Sequence, residues 1–138
     1  LYSLVLKSCG KNFQVAHNVY LVCVDGLEVG SNVYFAYNSV FIAYKDVYIG
    51  DNVMFGPMCL LVCDNHTMKD GSYRYGECIY KPIHIGDNSW VGGQCVILAG
   101  ANLPNGSILA ANSTLGKNLD SNVPAIFGGS PAKLIKTL

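Results

Sequence analysis

The chain has 138 residues, of which 51% are hydrophobic and 13% charged, and its nine basic residues balance nine acidic ones. That length suits one compact domain, which we predict over residues 1–138. The zero net charge gives no reason to expect a nucleic acid partner. The sequence contains neither a secretory leader nor an apolar run long enough to span a membrane.

Large apolar residues recur along the chain with a period of six. Each opens a block, a small residue usually follows it, and Asn or Gly often stands fourth. The opening residues are Cys9, Val15, Leu21, Val29, Phe35, Phe41, Ile49, Phe55, Leu61, Ile85, Val91, Ile97, Leu103, Leu109 and Leu115. A period of six fits neither an amphipathic helix nor an alternating hairpin sheet. It predicts a solenoid in which three blocks form one triangular coil.

The spacing of the blocks also predicts where each coil begins. Coils start at Cys9, Val29, Ile49, Ile85 and Leu103, which gives about five coils with stacked apolar columns inside. The register slips by two residues after Leu21 and again after Phe41, each time in the third block of a coil. Asn and Gly suit the corners because they tolerate a positive φ.

A polar insertion interrupts the repeat between Leu61 and Ile85. Its sequence is CDNHTMKDGSYRYGECIYKPIH. A loop ejected from a regular solenoid usually serves function, so we expect residues 64–83 to project from the third coil and to line a site. After Leu119 the repeat decays, which predicts a terminal cap with a short irregular tail.

The sixth position of each block should point outward, and three columns result. The first contains Gln14, Tyr34, Met54, Trp90 and Ile108, the second Tyr20, Val40, Leu60, Val96 and Thr114, and the third Gly26, Asp46, His66, Asn102 and Asp120. The first two columns are largely apolar and the third is polar. Exposed apolar columns of this length imply a partner surface. A cyclic homotrimer is the assembly that we expect.

The six cysteines do not have the spacing of a metal site. Cys9, Cys59 and Cys95 fall at inward positions, where a free thiol packs as a small hydrophobic group. The other three form no CxxC pair. We therefore predict free thiols, a cytoplasmic location and no structural zinc.

His66 is the strongest candidate for a catalytic group. It stands at the mouth of the insertion, two residues after Asp64. A neighbouring carboxylate can orient an imidazole and hold the tautomer that a general base needs. The residues alone leave open whether His66 is such a base or a solvated loop histidine.

Three strings extend the argument from residues to a family. IGDNVMFGPMCLLVCDNH from Ile49, IGDNSWVGG from Ile85 and the terminal GGSPAKLIK resemble the galactoside, maltose and polysaccharide O-acetyltransferases, which are hexapeptide-repeat acyltransferases. The resemblance covers nearly the whole chain. It implies a left-handed parallel β-helix, although spacing alone does not give the handedness. It also implies transfer of an acetyl group from acetyl-CoA to a sugar hydroxyl, without a metal and with His66 as the general base.

The resemblance assigns further residues to the two substrates. At the acceptor, Trp90 matches the family's aromatic residue, and we place Asp64 beside it. The contacts to coenzyme A fall on Gly93, Ala111, Gly116, Lys117, Lys133 and Lys136. Glycine and alanine let the pantetheine lie close to the backbone, and lysines meet the charge of the phosphates.

The acceptor itself stays open. Ala36 stands where the galactoside and maltose branch has an active-site Asn, and no helical segment like that of the branch precedes Cys9. Both departures favour the shorter enzymes that acetylate sugars of surface polysaccharides. Another small acceptor, such as an amine, a serine or a xenobiotic, is the alternative.

Two other classes of protein fit part of the sequence. His17, His66 and His84 could form a three-imidazole zinc site resembling that of the γ-type carbonic anhydrases. That family's histidine pair five residues apart is absent, however, and His17 lies two coils from His66. A non-catalytic scaffold with the loop as a docking surface would need neither His66 nor the basic tail.

Overall fold

The computed structural model describes residues 2–138, which wind into a triangular solenoid of short strands. In chain order the strands are β1 (Ser8–Cys9), β2 (Gln14–Val15), β3 (Tyr20–Val22), β4 (Leu27–Val29), β5 (Tyr34–Phe35), β6 (Val40–Ile42), β7 (Val47–Ile49), β8 (Met54–Phe55), β9 (Leu60–Val62), β10 (Asp64–His66), β11 (Cys78–Tyr80), β12 (Ile83–Ile85), β13 (Trp90–Val91), β14 (Val96–Ile97), β15 (Asn102–Leu103), β16 (Ile108–Leu109), β17 (Thr114–Leu115), β18 (Ala125–Gly128) and β19 (Lys133–Thr137). Two 3-10 helices, Tyr2–Leu4 and Val24–Gly26, complete the elements. Among the described residues, no helix is long and apolar enough to cross a membrane.

Three parallel sheets form the sides of the solenoid. The first side stacks β1, β4, β7, β12 and β15, the second stacks β2, β5, β8, β13, β16 and β18, and the third stacks β3, β6, β9, β14 and β17. β19 adds to the end of the second side as an antiparallel strand. Each coil therefore runs from the first side through the second to the third, as the six-residue blocks predict.

The pairing of the strands confirms the predicted register. Val29 pairs with Ile49, Phe35 with Phe55 and Phe41 with Leu61. Every opening residue from Val29 to Leu115 is buried in the core cluster. The opening residues of the first coil are only partly buried, because within residues 2–138 no further coil covers that end.

Asparagines hold the corner between the first and second sides. Asn12, Asn32, Asn52 and Asn88 all have a positive φ, between 55 and 59°, in the region that Asn tolerates better than most residues. Their side-chain amides form a ladder, in which each donates to the carbonyl oxygen of the next at 3.0 or 3.1 Å. The corner prediction is confirmed here.

Small polar side chains fill the corner between the second and third sides from within. Cys59 Sγ donates to the carbonyl oxygen of Gly92 at 3.2 Å, and Cys95 Sγ donates to that of Ala110 at 3.1 Å. Burial raises the pKa of Cys59 to about 11 and also raises the pKa of Cys95. All six cysteines are free, as predicted.

Two features of the C-terminal end correct the predicted fold. β18 stacks on β16 and Asn118 bridges to Asn102, so a partial sixth coil follows the five that the spacing predicted. The tail that we expected to be irregular forms β18 and β19. The cause is the buried alternation of Ala125 and Phe127, which covers the end of the core. Residues 118–124 separate this alternation from the last regular block and hide it from a count by sixes.

Candidate functional site

The ejected segment is an antiparallel hairpin at the corner between the third and first sides. Asp64 pairs with Tyr80 and His66 with Cys78 across β10 and β11. At its root, the amide of Lys81 donates to the carbonyl oxygen of the buried Cys63 at 3.0 Å. This bond closes the neck, so the solenoid resumes at β12 in register with β7.

A tight turn ends the hairpin. The backbones of Lys69 and Ser72 exchange two hydrogen bonds, at 3.0 and 2.9 Å. Asp70 and Gly71 between them have φ of 50 and 76°, which is the conformation that Asp-Gly favours in two-residue hairpin turns. Large side chains on the tip, including Tyr73, are exposed. The hairpin thus ends in a regular turn, and the large side chains at its tip face solvent.

His66 is exposed on one face of the hairpin, with 56% of its side chain accessible. Its Nε2 lies 4.0 Å from Asp64 Oδ2, and its Nδ1 lies 3.8 Å from Cys78 Sγ. Strand geometry explains the arrangement, because residues two apart share a face and directly paired residues are neighbours. The distance to Asp64 is too long for a direct hydrogen bond. It is short enough for the carboxylate to stabilise a positive charge on the imidazole.

An aromatic wall stands beside this face. The rings of Tyr44 and Tyr80 lie 5.9 Å apart, and Lys45 Nζ lies 5.2 Å from the ring of Tyr80. A hydrogen bond with Cys23 raises the pKa of Tyr44, and desolvation raises that of Tyr80, so both phenols stay neutral. The sequence analysis missed this wall, although the two-residue slip after Phe41 places Tyr44 and Lys45 at the same corner as the insertion.

Trp90 lies far round the solenoid from His66 within one chain. Its strand, β13, stacks between β8 and β16 on the second side, where Trp90 lies between Met54 and Ile108. The residue is 47% exposed there. In a triangular coil the second side lies opposite the corner that carries the hairpin. One chain alone therefore does not bring the two residues together.

The residues predicted to contact coenzyme A fall in three places. Gly93 and Ala111 lie on adjacent coils at the corner between the second and third sides. Gly116 and Lys117 follow β17, at the same corner as the hairpin but two coils further along. Lys133 and Lys136 lie on β19, where both are exposed. The first two groups flank the two ends of β17.

The third predicted column, the polar one, corresponds to the first side of the solenoid. For most of its members the predicted outward position on that side is wrong. The outward residues there are Ser8, Glu28, Tyr48, His84 and Asn102. Counting by sixes ran through the two-residue slips, and so it selected residues of the corner, such as the buried Gly26. Along this side runs an open cleft of about 540 Å³ in which the rings of Tyr48 and His84 stack 4.7 Å apart.

The three histidines do not converge on one site. His84 lies on the first side, and His66 lies on the hairpin. His17 stacks on Tyr37 at the corner between the second and third sides, with ring centres 5.5 Å apart. This separation argues against the three-imidazole zinc site of a γ-type carbonic anhydrase.

Comparison with known proteins gives matches in sequence and in structure. The family of hexapeptide repeats of succinyl-transferase matches residues 82–117. Galactoside O-acetyltransferase from Escherichia coli strain K12 is 31% identical over 134 residues, which are 97% of this chain and 65% of that enzyme. The chain thus spans just under two thirds of the length of that relative.

Two solved structures superpose on the chain with a TM-score of 0.89. One is a hexapeptide-repeat-containing acetyltransferase from Vibrio cholerae O1 biovar eltor in complex with acetyl coenzyme A, with 26% identity over 99% of this chain and 73% of that one. The other is a maltose O-acetyltransferase from Clostridium difficile 630, with 27% identity over 98% and 71% of the two chains.

Proposed function

We propose that this chain is a hexapeptide-repeat acyltransferase that transfers an acetyl group from acetyl-CoA to a sugar hydroxyl. The observation that carries the proposal is His66, which is exposed on the hairpin 4.0 Å from Asp64 and which the resemblance matches to the family's general base. The galactoside relative is named as an O-acetyltransferase, and the Vibrio cholerae structure contains acetyl coenzyme A. Six free cysteines suit the reducing cytoplasm in which we place the protein.

We propose the following role for His66 in the reaction. A sugar hydroxyl is a poor nucleophile at neutral pH, so the imidazole removes its proton as the oxygen attacks the thioester carbonyl. The tetrahedral intermediate collapses to the acetyl ester and expels the coenzyme A thiolate. The imidazolium then returns the proton to sulfur. Asp64, 4.0 Å away, stabilises the imidazolium between these steps.

We place coenzyme A along the C-terminal coils. The location of Gly116 and Lys117 at the same corner as the hairpin supports this placement, with Gly93 and Ala111 across β17 letting the pantetheine approach the backbone. The phosphates lie toward Lys117, Lys133 and Lys136, which are exposed. Replacing these three lysines with Glu should weaken coenzyme A binding in calorimetry and leave the circular dichroism spectrum unchanged. Unchanged affinity would place the cofactor elsewhere.

We propose a homotrimer, because Trp90 and His66 occupy opposite parts of one chain. Exposed apolar residues on the second and third sides, such as Met54 and Tyr20, provide surfaces for association. A neighbouring chain could then bring its Trp90 to the acceptor bound at His66. Multi-angle light scattering should give three times the mass of the chain, and a stable monomer would contradict the shared site.

Three histidine variants test the mechanism. His66→Ala should lower kcat by roughly 100-fold to 10,000-fold, the usual contribution of a general base, while coenzyme A affinity stays within about twofold. His17→Ala and His84→Ala are matched controls, because both rings stack on tyrosines away from the hairpin. Turnover is followed as thiol release from acetyl-CoA. Wild-type kcat in the His66 variant would overturn the mechanism.

The acceptor class that we favour is a precursor of a surface polysaccharide. The wall formed by Tyr44 and Tyr80 supports a sugar, since aromatic faces give a pyranose ring a flat apolar surface to pack on. A screen of nucleotide sugars, oligosaccharides, serine and small amines by thiol release decides between this acceptor and the other small acceptors. If the chain acetylates only amines, the reaction is N-acetylation and the proposed O-acetylation is wrong.

A further inference from the structure

The face of the hairpin that carries His66 contains two more side chains with metal-binding chemistry. One candidate ligand atom each from Asp64, His66 and Cys78 lies within 4.8 Å of the other two. A carboxylate, an imidazole and a thiol are the three side-chain types that bind zinc most often. We propose that Asp64, His66 and Cys78 form a zinc site, and that the bound ion blocks His66.

The hairpin register brings the three donors together. Cys78 pairs directly with His66, and Asp64 lies two residues before it on the same face of the ribbon. The bond lengths of tetrahedral zinc require donor atoms about 3.4 to 3.6 Å apart. The shortest contacts are 3.8 Å from Cys78 Sγ to Nδ1 and 4.0 Å from Asp64 Oδ2 to Nε2, which are different ring nitrogens. With one nitrogen taken as the ligand, the three donor atoms lie within 4.8 Å of one another. Because His66 is exposed, rotation of its side chain can bring that nitrogen closer to both partners.

The environment of Asp64 favours a cation at this place. Its side chain is only 12% exposed, and within residues 2–138 no lysine or arginine forms an ion pair with it. A carboxylate so enclosed gains from a nearby positive charge. Three protein ligands would leave the fourth tetrahedral position open to water.

Zinc binding has a direct consequence for the proposed reaction. Zinc coordinates the lone pair of one imidazole nitrogen and neutralises the charge of Asp64. His66 therefore cannot accept the proton of the acceptor. The site would therefore lower activity, which agrees with a transfer reaction that needs no metal. The metal site stands on geometry alone, whereas the inhibition rests on the proposed function.

A direct test measures metal binding by the full chain, free of any histidine tag and reduced with a phosphine rather than a thiol. Competition with a chromogenic zinc chelator should show one zinc per chain, and Cys78→Ser should weaken binding at least tenfold. Cys23→Ser is the matched control, since Cys23 is also exposed and lies outside the cluster. It should bind zinc like the wild type.

Cobalt provides a second, spectroscopic readout. Bound Co²⁺ should give the near-ultraviolet charge-transfer band of a thiolate ligand in the wild type and in Cys23→Ser, and that band should be absent in Cys78→Ser. Equal zinc affinity in the wild type and Cys78→Ser, or no thiolate band with the wild type, would overturn the site. Asp64→Asn should also weaken zinc binding, and unchanged affinity would remove Asp64 from the ligands.

The inhibitory consequence is tested separately by turnover. Saturating zinc should reduce acetyl transfer by the wild type at least tenfold, and a stronger chelator should restore it. Full activity of the zinc-loaded wild type would overturn the inhibition while leaving the binding site in place. A chain that binds zinc through Cys78 but acetylates no acceptor under any condition would instead contradict the proposed function.

Discussion

The fourth and fifth coils and the hairpin show two ways of using side chains. In the coils, Val91, Ile97 and Leu109 are fully buried and each repeats the role of a residue one coil away. In the hairpin, His66 is more than half exposed, and its neighbours repeat nothing elsewhere in the chain. The buried side chains of the coils thus supply stability, whereas the proposed general base lies on the hairpin. Substitutions of exposed hairpin residues should leave the stability of the coils almost unchanged.

The largest stability effect is expected in the aromatic part of the core. Phe55 is fully buried, and its ring packs edge-on against Phe35 and Phe41, with centroids 5.2 and 5.1 Å away. Phe55→Ala should lower the free energy of unfolding by about 3 to 5 kcal/mol, because it leaves a cavity. Urea denaturation at fixed protein concentration measures the change.

A hairpin residue of similar size is the control for this prediction. Tyr73 is 60% exposed, so Tyr73→Ala should change the free energy of unfolding by less than about 1 kcal/mol. If the two variants lose equal stability, the division between coils and hairpin is wrong.

The pH dependence of the coils gives the next largest effect. The pKa of Cys59 rises from its ordinary value of 9.0 to about 11, mainly because the thiol is buried. Above pH 9 the unfolded chain releases this proton while the folded chain retains it. The contribution of Cys59 to stability is therefore complete below pH 9 and is lost as the pH rises toward 11, by about 2 kcal/mol.

Replacement of the thiol isolates this contribution. Cys59→Ala is less stable at neutral pH because the side chain is truncated, but its unfolding free energy should fall less steeply between pH 9 and 11. Denaturation curves at several pH values give the slope. An identical slope in the wild type and the variant would mean that Cys59 is not the group responsible.

The asparagine ladder carries a smaller share of coil stability. Asn52 accepts a hydrogen bond from Asn32 and donates one to Asn88, both at 3.0 Å, with its own φ at 56°. Asn52→Ala should cost about 1 kcal/mol, because it removes exposed hydrogen bonds and places Ala in the left-handed region. Asn52→Gly removes the ladder without the strain and should cost less. If thermal denaturation shows equal losses of stability for Asn52→Ala and Asn52→Gly, the left-handed conformation at this position does not strain Ala.

The sequence predicted the coils far better than the site. Each block repeats one environment, so the burial of Phe55 or Leu103 follows from position alone. The two-residue slips lie outside the six-residue repeat. Counting by sixes through them wrongly predicted an outward position for Gly26, which is buried. The turn at Asp70 and Gly71 pairs Lys69 with Ser72, and a hairpin continued from it residue by residue would pair His66 with Tyr75. His66 pairs instead with Cys78, so the register shifts by three residues between the turn and β11, and this contact could not be counted from the turn.

The hairpin tip should have the smallest effect on stability. Replacing residues 68–76 with Asn-Gly joins Thr67 to Glu77 through a two-residue turn, which preserves the bond from the Thr67 amide to the Glu77 carbonyl at 3.0 Å. The deleted side chains, including Met68 and Tyr75, are exposed, and a shorter loop returns only about 1 kcal/mol of entropy. The free energy of unfolding should therefore change by less than about 1 kcal/mol, as measured in urea. Because we propose that the acceptor binds beside the hairpin, the acceptor KM should rise while coenzyme A affinity is retained. A variant of unchanged length with Gly and Ser at 68–76 separates the effect of the side chains from that of loop length. A loss of several kcal/mol in either variant would make the hairpin part of the folding unit, and the separation of stability from chemistry would fail.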